Sequence, residues 1–262
     1  MKDKFEFTIA EIHHFLGNGY IKIDNAFSTE LAKECRDILW EETKCNPHDS
    51  STWTKAVIRL DDHPQEPFVK AANTPVLHSA FDQLLGEGNW IPRNSLGAFP
   101  IRFPANKLPN DTGWHVDSGF PGESPDDFMK WRINFRSKGR GLLMLFLFSD
   151  VTANDAPTRI REGSHFKVAR LLKPYGENGL PFMELASKLK VTDECNEVIA
   201  TGKAGTVYLC HPFIVHAAQR HCGTNPKFMA QPPLHLKEDF ELNPANKNIS
   251  LVELAILKGI ES

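Results

Sequence analysis

Long apolar runs are missing from this sequence. No stretch approaches the roughly 18 apolar residues that a membrane-spanning helix requires, so no span is expected. No secretory leader is expected either. The start, Met1-Lys2-Asp3-Lys4-Phe5-Glu6, is polar and acidic where a leader would be apolar, which predicts a cytoplasmic protein. Cysteine is sparse: Cys35, Cys45, Cys195, Cys210 and Cys222 are scattered, odd in number and include no CxxC pair. A zinc ribbon or thioredoxin-like site is thereby excluded, and reduced, mostly buried thiols are expected. Neither sign of charge dominates. A formal net charge of −3 gives no overall attraction to nucleic acid. Internal repeats and low-complexity segments are also absent.

What is present suits one folded unit. The 262 residues are 41% hydrophobic, enough for a sizeable core. Residues 1–95 read as a mixed flank of helices and strands. A short apolar stripe at Ile9, Ile12 and Leu16 predicts a helix capped by Thr8 and broken by Gly17-Asn18-Gly19. Residues 20–23 alternate like a strand. Ser28 opens a second helix with Leu31, Cys35, Ile38 and Leu39 on one face, and residues 75–85 form a third, with Pro75 in its first turn and Gly86 after its end. From residue 96 to 234 short β-favouring runs recur between Gly, Pro and Asn clusters: 97–103, 113–117, 131–136, 142–148, 158–161, 206–210, 214–217 and 228–231. Such spacing predicts a sandwich or closed barrel. One helical insertion is expected over about 166–190. In the C-terminal flank, 235–262, Asn243-Pro244 reads as a turn and residues 251–257 as a helix packed on the outside.

The chemistry concentrates in Gly113-Trp114-His115-Val116-Asp117. On a strand, residues two apart point the same way, so His115 and Asp117 aim an imidazole and a carboxylate at one point. A second histidine must come from elsewhere, and His211-Pro212-Phe213-Ile214-Val215-His216 offers it. His211 and His216 compete. His216 is favoured because it sits mid-strand with a cation, Lys227, downstream, whereas His211 precedes a proline. Two histidines and one carboxylate on one face of an ion leave three positions open, the donor set of non-haem Fe(II) oxygenases. A structural zinc site would close with four protein ligands.

Together with Leu142 to Asp150, Arg161-Glu162-Gly163-Ser164-His165 and His211 to Pro233, these residues resemble the phytanoyl-CoA dioxygenase family, in particular bacterial members of unassigned substrate. The resemblance covers residues 97–234 closely and the N-terminal part loosely. It implies a mainly β fold with flanking helices around a double-stranded β-helix, the jelly-roll or cupin-like core, as a single domain over 1–262. It also implies Fe(II), 2-oxoglutarate and O2, with succinate and CO2 as products. His115, Asp117 and His216 match the family's metal ligands. Eleven residues past the distal histidine the family carries an arginine for the far carboxylate of 2-oxoglutarate; this chain has Lys227. Tyr208 is the candidate hydroxyl to complete that contact, and Arg220 an alternative cation. Trp131 resembles a tryptophan lining the co-substrate pocket, or else is a core aromatic. The family's small hydroxyl residue two past the distal histidine is here Ala218. His165, with Ser164 as a cap, reads as a structural turn. Related halogenases replace the carboxylate ligand with Gly or Ala, so Asp117 implies hydroxylation rather than chlorination.

For the substrate the sequence offers less. Lys130, Arg132, Arg136, Lys138 and Arg140 lie in a stretch free of acids. As a strand, this even-numbered set faces one side. It is either a solvated face balanced by Glu123, Asp126 and Asp127, or a pocket wall for an anionic small molecule, with Arg132 the individual candidate. Trp114, Phe120 and Phe166 are candidates for apolar lining. The leading expectation is a 2-oxoglutarate-dependent hydroxylase of a small organic substrate. The alternative is a jelly-roll sensor that keeps the metal without turnover, suggested by Lys227 and Ala218.

Overall fold

The computed structural model describes residues 5–245 and 248–261. Residues 1–4, on which the expectation about a leader partly rests, lie outside the described residues. Thr8 opens helix α1 (Ile9–Asn18): its hydroxyl accepts from Glu11 N while the Glu11 carboxylate accepts from Thr8 N. This reciprocal cap stabilises the first turn by about 1 kcal/mol. The helix runs through Gly17 and ends at Gly19, whose φ of 85° is left-handed. A Cβ on Gly19 would stand 2.5 Å from His165 Nδ1, so glycine serves both the turn and the close approach.

Strand β1 (Tyr20–Ile23) and helix α2 (Thr29–Thr43), capped by Ser28, follow as the pattern predicts. Strand β2 (Val57–Leu60) and helix α3 (Glu66–Ala72) are elements the apolar pattern does not announce. Helix α4 (Pro75–Leu85) keeps Pro75 in its first turn and stops at Gly86. Next come β3 (Phe99–Arg102), β4 (Arg132–Ile133), β5 (Leu142–Leu147) and β6 (Thr158–Arg161). The expected single helical insertion is divided into α5 (Ser164–Leu172), β7 (Leu180–Pro181) and α6 (Phe182–Lys188). Gly176 and Gly179, at φ of 53° and 58°, turn the chain between the helices. Strands β8 (Glu197–Ala200), β9 (Val207–Cys210), β10 (Val215–Ala217), β11 (Met229–Ala230) and β12 (Pro233–Leu234) precede helix α7 (Leu251–Glu261).

Two antiparallel sheets face each other. The larger runs β1-β9-β5-β11, with β12 also on β5, and a backbone bridge between Arg102 and Lys227 carries it on to β3 and β2. The smaller runs β10-β6-β8 and is extended by a single pair, His115 with His216. Between the sheets lie Leu143, Leu145, Leu147, Tyr208 and Cys210 from one side and Ile160 and Ala200 from the other. On the outer face of the large sheet, Leu142, Met144, Phe146 and Phe148 pack with Phe15, Leu39, Phe81 and Ile256 of the helices. Burial on both faces is why β5 reads as an unbroken apolar run. The architecture is a double-stranded β-helix with helices against one sheet. Helix α7 is not an outer ornament: Val252, Ala255 and Ile256 are fully buried, and it packs on α1, α4 and α5. No helix among the described residues is long and apolar enough to cross a membrane.

Candidate metal centre

The smaller sheet brings the two histidines together. His115 and His216 exchange both backbone hydrogen bonds, each 3.0 Å, and their ring centroids lie 4.3 Å apart. The segment around His115 pairs only there and does not form the regular strand expected over 113–117. One pair suffices, because Asp117, two residues on, turns its carboxylate to the same point. Asp117 Oδ1 stands 3.6 Å from His115 Nε2 and 3.7 Å from His216 Nε2.

These distances are too long for hydrogen bonds and suit donors arranged around a common ion. Donors about 2.1 Å from a metal and at right angles to one another lie about 3 Å or more apart. The tautomers agree. Nδ1 of His115 faces Gly113 O at 2.8 Å and Nδ1 of His216 faces Ile214 O at 3.2 Å. A carbonyl only accepts, so each Nδ1 carries the proton and each Nε2 keeps its lone pair for a ligand bond. The residues present therefore fit a divalent ion held by two nitrogens and one oxygen. His115, Asp117 and His216 are also the only such His, Cys, Asp and Glu cluster among the described residues.

Behind the triad stand two residues that sequence reasoning missed as site residues. Arg140, buried, donates from Nη1 to Asp117 Oδ2 at 3.2 Å and from Nη2 to Ser118 O at 3.0 Å. Gln231 sets its side-chain amide 2.9 Å from His216 Nε2, on the lone pair that a bound ion would take over, and 3.4 Å from Asp117 Oδ2. Burial works against the charge on Asp117, but Arg140, with the two histidines, holds the carboxyl down at about 2. Burial, and then His115, pushes His216 down to about 4, which keeps it neutral and ready to ligate at neutral pH.

The triad opens into a cavity of about 430 Å³ that also receives Arg59, Arg102, Asp111, Phe128, Thr158, Ala218, Lys227 and Met229. Asp111 is shared: Arg102 grips it with two bonds, at 3.1 and 2.7 Å, and Arg59 pairs with it from the outer side. Lys227 is different. It is 1% exposed, its Nζ donates to Ala156 O, and among the described residues no carboxylate pairs with it. Burial, and then the neighbouring Arg102, pushes its ammonium well below the ordinary value. Asp111 and Asp155 favour its charge from beyond ion-pair distance, so a lysine buried at the cavity wall with no ion-paired carboxylate among the described residues is a candidate seat for an anion.

Several residues singled out from the sequence stand elsewhere. Trp131 does not line the cavity; its indole donates to Pro125 O at 2.7 Å and its ring stands behind Phe128, which does line it. Tyr208 is turned between the sheets, its hydroxyl donating to Thr201 O at 2.7 Å, so it cannot complete the Lys227 contact. Arg132 fastens the carbonyls of Asn178 and Gly179, and Arg136 pairs with Glu177. The basic stretch is therefore no pocket wall, and only Arg140 reaches the site. Phe120 pairs its backbone with Arg132 and carries Lys138 over its ring. Trp114 takes the guanidinium groups of Arg159 and Arg161 over its ring, at 4.5 and 4.2 Å. Phe166 packs on His165. Arg220 is exposed and holds Asn106 O. His211 is buried away from the triad, between Val252 O and Phe213 N, and His165 caps Leu16 O. Ser164 is not the cap of α5, a role Gly163 takes; its hydroxyl accepts from Val215 N and so fixes the strand that carries His216.

No protein-family model and no curated protein matches this chain. Solved structures do. SnoN, a non-heme alpha ketoglutarate dependent epimerase from nogalamycin biosynthesis solved with Fe3+, alpha ketoglutarate and nogalamycin RO, aligns at a TM-score of 0.60 and 14% identity, covering 87% of this chain and 82% of its own. HygX from Streptomyces hygroscopicus, with nickel and 2-oxoglutarate bound, aligns at 0.55 and 15% identity, covering 88% of each chain. SnoK, a non-heme alpha ketoglutarate dependent carbocyclase from the same pathway as SnoN, aligns at 0.58 and 12% identity over 89% of this chain and 86% of its own. At these identities the likeness establishes the fold: this chain shares the jelly-roll core of these enzymes.

Proposed function

We propose that this chain is an Fe(II)- and 2-oxoglutarate-dependent oxygenase of the phytanoyl-CoA dioxygenase type, a single domain that hydroxylates a small organic molecule. One observation carries the reading. A buried lysine with no ion-paired carboxylate among the described residues, Lys227, lines the same cavity as a converging two-histidine, one-carboxylate donor set. That pairing suits a co-substrate that chelates a metal at one end and bears a carboxylate at the other. The small-molecule substrates are in keeping with the neighbours, since HygX was solved with hygromycin B and SnoN with nogalamycin RO.

The parts of the site divide the work. His115, Asp117 and His216 hold the ion from one side. When bound, Fe(II) with 2-oxoglutarate and O2 supplies the oxidising chemistry, yielding succinate and CO2. Arg140 and Gln231 take Oδ2 of Asp117, so the carboxylate would offer its other oxygen, Oδ1, to a bound ion. Lys227 neutralises the far carboxylate. Phe128, half exposed, stands at the mouth. Asp117 fills the position that an added chloride would need, which supports hydroxylation over chlorination.

Purified protein given Fe(II), ascorbate and 2-oxoglutarate should form succinate slowly without added substrate, and a metabolite library scored by succinate release and a gain of one oxygen should find the substrate. Lys227→Met should weaken 2-oxoglutarate binding at least about tenfold, about 1.4 kcal/mol, with metal affinity unchanged. Tight binding of metal and 2-oxoglutarate with no succinate under any condition would favour the sensor over the oxygenase.

A further inference from the structure

Ala218 leaves the far end of the cavity without the hydroxyl that the family resemblance leads one to expect there, and the β6–β10 ladder shows what stands in its place. The ladder pairs Val215 with Arg161, His216 with Ile160 and Ala217 with Arg159. Continued by one step, that register would set Ala218 across from Thr158. Side chains two apart on a strand share a face, so both residues lie on the face that carries His216, and both line the cavity. Thr158 is buried, and its hydroxyl meets only the Met229 thioether, at 3.7 Å. Sulfur of this kind is a weak acceptor, so the hydroxyl keeps nearly all its capacity for a better partner.

Lys227 adjoins it. Lys227 Nζ donates to the carbonyl of Ala156, two residues before Thr158, and Lys227 itself lies two residues before Met229. An ammonium and a hydroxyl thus open into one cavity from neighbouring segments, and among the described residues neither is ion-paired or hydrogen-bonded to a carboxylate. A lysine neutralises a carboxylate but orients it poorly, being a point charge on a flexible stem. Threonine, stiff at its branched Cβ, gives direction.

Resting on the reading of this cavity as a 2-oxoglutarate site, we propose that Thr158 is a co-substrate-binding residue. Its hydroxyl donates to the carboxylate that Lys227 neutralises, and so supplies from the opposite strand the hydrogen bond that Ala218 cannot make. The pair gives this chain its selectivity for a keto acid with a second carboxylate.

The test compares two ligands on Ni(II)-loaded protein by calorimetry. 2-Oxoglutarate carries the far carboxylate; 2-oxobutyrate has the same metal-chelating end and lacks it. Thr158→Val, nearly isosteric, should raise the 2-oxoglutarate Kd about five- to tenfold and leave the 2-oxobutyrate Kd and the Ni(II) affinity unchanged. Moving the hydroxyl across the ladder, in Thr158→Val/Ala218→Ser, should recover part of the loss. An unchanged 2-oxoglutarate Kd in Thr158→Val, or equal weakening of both ligands, overturns the assignment of Thr158 while leaving the oxygenase reading intact. Wild-type protein that prefers neither ligand, or binds neither, overturns that reading and the assignment with it.

Discussion

Arg140 shows how much a single side chain can hide in a sequence. Its position in a run of basic residues suggests a solvated face, yet the fold buries it and sets it on the Asp117 carboxylate. A buried guanidinium bonded to Oδ2 fixes the rotation of Asp117 and leaves Oδ1 turned toward the two histidines. Arg140→Met, which keeps the apolar stem, should therefore weaken divalent-metal binding by about 10- to 100-fold, the usual range for a partner of a ligand. Loss of the proposed ligands should be more severe: His115→Ala, Asp117→Ala and His216→Ala should each abolish tight binding. His211→Ala should retain metal affinity and instead lower thermal stability, because its ring sits in the helical core away from the triad. Calorimetric titration with Ni(II) beside a melting curve separates the two kinds of effect; metal loss that follows His211 and spares His216 would reverse the assignment. The triad was legible because a His-x-Asp spacing converts directly into a shared face. Arg140 and Gln231 were not, because their partners lie 22 and 15 residues away at the nearest and no local period marks such contacts.

Elements follow the same rule. Strand β5 and the helices α1, α2 and α4 are announced by apolar runs, caps and glycines, all local signals. Strands of two residues, such as β4, β7 and β12, are set by a partner distant in sequence and leave no period to read. The loops that carry the site depend on close approach instead. Gly119 and Gly139 face each other across the turn that brings Arg140 to Asp117. A Cβ on Gly119 would stand 2.3 Å from Lys138 O, and one on Gly139 would stand 2.5 Å from Gly119 O. Backbone cannot yield as a flexible side chain does, so Gly119→Ala must part the two segments. It should cost about 1–3 kcal/mol, as overpacked interiors do, and weaken metal binding with it, since Asp117 and Arg140 sit on the segments forced apart. Gly113→Ala, with nothing within 4 Å of the added carbon, is the matched control and should leave both the urea midpoint and the Ni(II) affinity close to wild type. Equal behaviour of the two variants would refute the argument from close approach.

At the scale of the whole molecule, the fold places neutral histidines in its interior and so ties stability to pH. His165 lies in the core with Nε2 on Leu16 O, and burial pushes it from 6.5 down to about 4. His211, beside it with ring centroids 4.8 Å apart, is pushed below its ordinary value by burial and by His165. These histidines join α1, α5 and β9 to α7, the helix that closes the core, so their environment belongs to the packing of the entire chain. In the native state they refuse protons that the unfolded chain accepts. Between pH 6.5 and about 4 the unfolded state therefore binds more protons, and stability falls as pH falls. Above pH 6.5 that contribution is fully present. For His165 alone the loss across the window amounts to about 3 kcal/mol at most, taking about 1.4 kcal/mol for each pH unit. Metal-free protein should accordingly lose urea midpoint steadily from pH 7 to pH 4.5, with little change between pH 7 and pH 8. His165→Gln, which offers a hydrogen bond to Leu16 O without a titrating ring, should flatten that slope even where it lowers stability at pH 7. A slope unaltered by the substitution would assign the acid sensitivity to groups outside this cluster.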